Sequence, residues 1–140
     1  MPSDREITLV QAGLALLVDI LFSQFYYSPD LFGNAFIRHN NRDPSNSSLT
    51  SMETSICVIL GVMEAYGQNY VMGNVGDCHT WIDGATWGYW LVLFFVLPPL
   101  AGYFVVNRKP LSHLSVMLGH TMGVFILRGA VMVAVANYFA

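Results

Sequence analysis

Four ionisable side chains lie inside long apolar stretches of this sequence. They are Asp19, Glu64, His120 and Arg128. A charged group at the centre of a bilayer costs about 3 kcal/mol on insertion scales, so such a residue predicts a functional site or a strictly paired one. Arg128 is the strongest case. It lies in the middle of the apolar run 125–131, too deep for its side chain to reach the membrane surface easily.

Arg128 needs an acidic partner. Glu64, which also lies in the middle of an apolar stretch, is the first choice, and Asp19 is the second. Two interpretations stay open: a buried ion pair that only fixes the register of the helices, and a site for a substrate, lipid, proton or cofactor. The buried polar side chains that would complete such a site are Tyr66, Gln68 and His120.

The sequence does not favour a metal or haem site. His113, Met117 and His120 share one helix face, and all three are metal-ligand types. His113 and His120 are about 10 Å apart along the helix axis, too far for one ion to bind both without another helix. The other histidines, His39 and His79, lie in connections. We expect His113 at the membrane interface and His120 hydrogen-bonded across the bundle.

No catalytic set is recognisable. The sequence has no nucleophile elbow, phosphate-binding glycine loop or HExxH motif. Asp77, His79 and Asp83 cluster in one connection, and the two interpretations are a weak cation site and a solvated polar loop, of which the loop is favoured. Cys57 and Cys78 lie about 30 Å apart along a straight helix, beyond disulfide reach. The sequence leans away from an enzyme without deciding the question, and it predicts no catalytic, metal or cofactor residues.

The elements that must position these residues are membrane helices. Of the 140 residues, 54% are hydrophobic and only 11% are charged, whereas a soluble domain carries about 25% charged residues. A helix needs about 20 mostly apolar residues to cross a bilayer. We therefore predict an all-α fold, a single transmembrane domain over residues 1–140 with four helices. The predicted spans are residues 7–27, 54–75, 84–106 and 112–138.

The connections carry further signals. Pro98 and Pro99 predict a kink inside the third span, since each removes a backbone donor. The segment 31–38 is amphipathic, and we expect a short interfacial helix there, with an irregular loop as the alternative.

The basic residues predict the orientation in the membrane. The first and third loops hold Arg38, Arg42, Arg108 and Lys109, whereas Arg5 is alone on the opposite side. Because Lys and Arg mark cytoplasmic loops, we expect both termini to face away from the cytoplasm or the mitochondrial matrix. The expected location is a bacterial inner membrane or a mitochondrial inner membrane.

Small residues recur at four-residue spacing in three of the predicted spans, a pattern that lets helices approach closely in lipid. The pairs are Gly61 and Ala65, Gly84 and Gly88, and Gly119 and Gly123. We expect the lipid bilayer as a partner, with other membrane subunits on these faces and bound lipid. With six basic residues and a net charge of −3, nucleic acid is not an expected partner.

Residues 25–36, Phe-Tyr-Tyr-Ser-Pro-Asp-Leu-Phe-Gly-Asn-Ala-Phe, resemble the aromatic-Tyr-Ser-Pro-x-x-Phe-Gly signature of a family of small membrane proteins known only as a domain of unknown function. The proline-containing helix 95–106, the connector 108–110 and the glycine-rich last helix are similar to that family too. The polar stretch 40–51 and Glu64 depart from its pattern. The resemblance implies a fold of about four spans and no particular reaction.

Two functions of different classes fit these patterns. The first is an accessory or structural transmembrane subunit of a larger membrane complex, with energy-transducing complexes among the candidates. The alternative is a stand-alone enzyme, carrier or binder of a lipid-like molecule, with a polar pocket around Glu64 and Arg128. A direct Glu64–Arg128 pair with no adjoining cavity would contradict the alternative.

Overall fold

The structure, a computed structural model, describes residues 4–39, 51–74 and 77–139, which are mostly helical and include short non-helical turns. The elements are α1 (Asp4–Tyr26), α2 (Gly33–His39), α3 (Ser51–Asn74), α4 (Trp81–Leu91), a π-helical turn (Val92–Val96), α5 (Leu97–Val106) and α6 (Leu111–Phe139). Within those residues the predicted all-α class is confirmed. Of the polar stretch 40–51, only Ser51 lies within the described residues, and Arg42 lies outside them.

Within the described residues, three helical segments are long and apolar enough to cross a membrane, which makes the chain an integral membrane protein. They are Leu9–Tyr26, Trp81–Val106 and Leu111–Phe139. The sequence predicts four spans, and this measure of length and apolarity finds three of them among the described residues. The predicted second span is the helix α3, whose 24 residues are long enough. Its second half contains Glu64, Gln68 and Asn69, which make it less apolar than the others.

Helices α1 and α6 run antiparallel, and side chains of α1 bond to the backbone of α6 along their contact. Gln11 Nε2 donates to the carbonyl oxygen of Met132 at 2.9 Å. At the other end, the Tyr26 hydroxyl donates to the carbonyl oxygen of Val116 at 3.0 Å. The start of α1 and the end of α6 therefore lie at the same end of the bundle.

Helix α3 runs antiparallel to α1 over the same depth. Gly61 lies beside Leu16 and Asp19, and Asn69 Nδ2 donates to Gln11 Oε1 at 3.3 Å. Its inward side is buried at Ala65, in a small cluster with residues of α1 and α6. The second half of α3 therefore lies alongside the first two-thirds of α1.

Helices α4 and α6 approach so closely that their backbones touch. A Cβ atom on Gly84 would overlap the carbonyl oxygen of Gly129, and one on Gly88 would overlap that of Phe125. Only glycine leaves room for this approach. The packing predicted for the Gly84–Gly88 pair is confirmed, and its partner is a helix of the same chain.

The other two small-residue pairs also face inward. A Cβ on Gly119 would meet the Tyr26 hydroxyl, and one on Gly123 would meet the Phe22 ring. Gly61 contacts α1, as described above. In this chain all three predicted pairs therefore pack against its own helices.

Pro98 and Pro99 interrupt the third span as predicted, and the interruption is a π-helical turn just before them. Prolines cannot donate to carbonyls four residues earlier, and a wider turn accommodates those carbonyls. Helix α4 begins at a capping box. Asp83 N donates to Thr80 Oγ1 at 3.2 Å, and Thr80 N donates to Asp83 Oδ2 at 2.7 Å. The helix predicted over 31–38 is α2, Gly33–His39.

Candidate functional site: a charge cluster between three helices

Polar residues of α1 recur on the side that faces α6. They are Gln11, Asp19, Ser23 and Tyr26, separated by eight, four and three residues. At 3.6 residues per turn these spacings place the four side chains on one stripe of the helix. Each contacts α6, as the bonds of Gln11 and Tyr26 already show. The stripe puts Asp19 opposite Arg128.

Arg128 is 1% exposed, and Asp19 is its main partner. Arg128 Nε donates to Asp19 Oδ1 at 3.1 Å, and Arg128 Nη2 donates to Asp19 Oδ2. This is the two-pronged geometry in which a planar guanidinium binds a carboxylate most firmly. The Asp19 side chain is itself only 15% exposed. The pair is therefore shielded from solvent and lipid by α1 and α6.

Glu64 brings a second carboxylate to the same guanidinium. Its Oε2 lies 3.6 Å from Arg128 Nη2, within ion-pair range but longer than a normal hydrogen bond. The Glu64 side chain is 54% exposed, because it projects from the flank of α3 rather than from its buried side. We call Asp19, Glu64 and Arg128 the charge cluster. With both carboxylates ionised, the cluster carries one excess negative charge.

Two polar atoms, one in the charge cluster and one beside it, are buried without a hydrogen-bond partner among the described residues. They are Arg128 Nη1, a donor, and Gln68 Oε1, an acceptor. Gln68 is one turn beyond Glu64 on α3, and its Nε2 donates to the carbonyl oxygen of Phe125 at 2.8 Å. The Phe125 ring lies under the guanidinium, 5.2 Å from its carbon. The surroundings of the cluster are therefore polar but incompletely bonded.

His120 belongs to a separate group nearer the other end of the α1–α6 contact. Its Nε2 lies 2.8 Å from Ser23 Oγ, so the predicted hydrogen bond across the bundle is confirmed. Its ring is enclosed by aromatic rings, with the Tyr27 ring centroid 4.7 Å away and that of Phe22 5.9 Å away. His120 thus helps to fix α1 against α6 two turns from Arg128.

Three sequence predictions about this site are corrected. Asp19, ranked second, is the main partner of Arg128, because α1 packs directly on α6 while Glu64 approaches from the flank of α3. Tyr66 is 62% exposed on the outer side of α3 and takes no part in the cluster. Glu64 is half-exposed rather than buried. Among the predicted residues, Gln68 and Arg128 are buried, and Asp19 is partly buried beside Arg128. His113 lies in the first turn of α6, is 2% exposed and packs edge-on against Phe104, and its place at the membrane interface stays a prediction.

Sequence reasoning missed Gln11, Ser23 and Tyr26. Each is a single polar side chain in an apolar helix, which alone is unremarkable. The available signal was their common stripe with Asp19, a pattern with the period of a helix. Interhelical hydrogen bonds of this kind contribute about 0.6 kcal/mol each in membrane proteins, so they orient α1 more than they stabilise it.

An apolar groove lies at the end of the bundle where α1 begins and α6 ends. Its volume is about 340 Å³. The lining residues are Val10, Leu14, Val131, Ala134, Val135, Tyr138 and Phe139. None of them belongs to the charge cluster. Among the described residues, no group of three or more His, Cys, Asp or Glu side chains is arranged to hold a metal ion.

Membrane-crossing helices packed around a buried ion cluster define this chain as an α-helical integral membrane protein. It belongs to the family described as a protein of unknown function (DUF1761), which it matches over residues 10–133. The matched region contains the whole charge cluster. The match agrees with the predicted resemblance to a family of unknown function, while the signature at residues 25–36 stays a prediction. No curated protein and no solved structure shows significant similarity to the chain.

Proposed function

We propose that the protein is an accessory or structural transmembrane subunit of a larger membrane complex, of the kind that transduces energy across a bacterial or mitochondrial inner membrane. The observation that supports this most is the polarity of α3 compared with its position in the bundle. This helix lies alongside α1 at membrane depth, yet it is too polar to qualify as a span by itself. A neighbouring protein would cover the polar side chains of α3, which lipid chains solvate poorly.

The outer side of α3 has the spacing of a helix-packing seam. Large side chains recur alternately four and three residues apart, which keeps one stripe facing a neighbouring helix. They are Met52, Ile56, Ile59, Met63, Tyr66 and Tyr70. Each is between 45% and 74% exposed in the single chain. Half-exposed Glu64 lies beside this stripe and favours a protein neighbour over lipid chains, because a carboxylate in contact with lipid is costly.

In this proposal α3 is the fourth span, and both termini face away from the cytoplasm or matrix. The antiparallel pairing of α3 with α1 supports the fourth crossing, and the basic residues Arg38, Arg108 and Lys109 support the direction. The lipid proposed from the sequence fits the apolar groove, whose lining suits an acyl chain. The partner surface is the α3 seam rather than the glycine pairs, which the chain covers itself.

The topology has its own test. Cys78 lies in the connection between α3 and α4, and we expect a membrane-impermeant maleimide to label it from the side that carries both termini. Burial raises the pKa of the Cys78 thiol, and the Asp83 and Asp77 carboxylates raise it further. Because the thiolate is the reactive form, labelling should be slow near neutral pH and accelerate as the pH rises. The Cys78→Ser variant is the control for labelling at Cys57.

Reporters fused to the two termini complete this test. An odd number of crossings would put the termini on opposite sides. Reporters active on opposite sides, or Cys78 labelled only from the cytoplasmic side, would contradict the proposed four-span topology.

The subunit role is tested by native electrophoresis after extraction in mild detergent. We expect the protein to migrate with a larger complex. The Tyr66→Ala variant should reduce the recovered complex by about tenfold, the effect of losing about 1.4 kcal/mol at an interface. Val105→Ala is the matched control, because Val105 is 72% exposed on a different helix. Recovery of the wild type only as a free monomer would overturn the subunit role.

The alternative, a stand-alone enzyme, carrier or binder with a pocket around Glu64 and Arg128, has less support. Asp19 already occupies the guanidinium, and the groove described above borders neither residue. The apolar groove favours a bound lipid chain without implying chemistry on it.

A further inference from the structure

We propose that the charge cluster is a proton-binding site and that Glu64 is the residue that gains and loses the proton. The inference concerns the isolated chain and does not depend on a partner subunit. It starts from the charge balance of the three side chains. One guanidinium neutralises one carboxylate, so the second carboxylate leaves an excess charge at a depth where such a charge costs about 3 kcal/mol. A proton on one carboxylate removes that excess.

The geometry selects Glu64 over Asp19. Both oxygens of Asp19 bond to Arg128, and the side chain is 15% exposed. Protonation there would break the two-pronged pair. Glu64 has one oxygen at 3.6 Å from the guanidinium and is 54% exposed. Protonating Glu64 therefore breaks no direct hydrogen bond, and its carboxylate, unlike that of Asp19, is open on one side.

The protonated form also gains an acceptor. Gln68 lies four residues after Glu64, one turn away on the same helix, and its Oε1 is buried without a partner among the described residues. A neutral carboxylic acid has an O–H to donate, whereas a carboxylate has none. Glu64 can therefore lean toward Arg128 when ionised and donate to Gln68 when protonated. The step is the addition of a water-borne proton to a Glu64 oxygen, which changes the cluster charge from −1 to zero.

Other ionisable groups facing the site are few among the described residues. Asp19 faces it from α1 and Arg128 from α6. On α4, Asp83 bonds to Thr80 at the start of the helix instead. His120 lies two turns along α6 from Arg128, about 12 Å away along the axis, and bonds to Ser23. Whether Glu64 holds the proton therefore depends on the three residues of the charge cluster.

The test is infrared difference spectroscopy of the full chain in phosphatidylcholine vesicles while the pH is lowered. A carboxylic acid in apolar surroundings absorbs at a higher frequency than acids exposed to water. We expect one such band that rises on acidification and is lost in Glu64→Gln, which has nearly the same shape. Asp30→Asn removes an exposed carboxyl in the turn after α1 and should leave the band unchanged. Gln68→Leu should keep the band and move it upward, since the acid loses its acceptor.

Two results would overturn the proposal. One is a band that persists in Glu64→Gln; if that band is lost in Asp19→Asn, the proton is on Asp19. The other is a folded wild type with no high-frequency band at any pH. Neither of these results bears on whether the protein migrates with a larger complex.

Discussion

Replacing both carboxylates of the charge cluster, as Asp19→Asn with Glu64→Gln, is expected to destabilise the protein by about 3–5 kcal/mol. Arginine cannot shed its proton under any physiological condition, so Arg128 would remain buried as an unpaired cation. The single changes should cost much less. In Asp19→Asn the guanidinium still has Glu64 at 3.6 Å, and in Glu64→Gln it keeps both bonds to Asp19. The loss in the double variant should therefore exceed the sum of the two single losses.

The measurement is reversible unfolding of the purified protein in detergent, followed by helical circular dichroism. The control adds Arg128→Met to the double variant, which removes the unpaired charge while keeping an apolar side chain of similar length. We expect most of the lost stability to return. If the two single losses simply add up, or if Arg128→Met brings no recovery, the cluster does not act as one electrostatic unit.

The second large effect is expected at the contact between α4 and α6. Gly84→Ala and Gly88→Ala should each cost about 1–3 kcal/mol, since the new methyl group meets a backbone carbonyl that cannot move aside alone. The two helices would have to separate along their whole contact. The same unfolding measurement applies, and the double variant should be the least stable.

Glycines elsewhere on the helices provide the matched controls. A Cβ on Gly67 or Gly102 would meet nothing within 4 Å. Alanine there should be neutral or stabilise by up to about 1 kcal/mol, because it favours the helix more than glycine does. Equal effects at all four positions would mean that the loss reflects helix propensity and not the close approach of α4 to α6.

The charge cluster illustrates how far sequence reasoning reaches for a site in a membrane. An arginine in the middle of an apolar helix must be neutralised, so the need for an acidic partner followed from the residue alone. The choice between two acidic residues did not. It depended on which helix packs directly on α6, and that is set by glycine pairs and by the polar stripe of α1 acting together. Tyr66 was misassigned for the same reason, because the mixed polarity of α3 does not predict which side of the helix faces inward.

The sequence by itself determined that this protein is a membrane protein whose described parts are mostly helical. It also determined where the helices begin and end, to within a few residues, and that Arg128 needs an acidic partner. These follow from apolar length, proline positions and the cost of a bare charge in lipid, all of which are local properties. Only the tertiary structure decided that Asp19 binds Arg128, that Glu64 shares it from the flank, and that the glycine faces are used within the chain. Those outcomes depend on the rotation and neighbours of each helix, which arise from packing between segments far apart in the chain, such as Asp19 and Arg128 with their separation of 109.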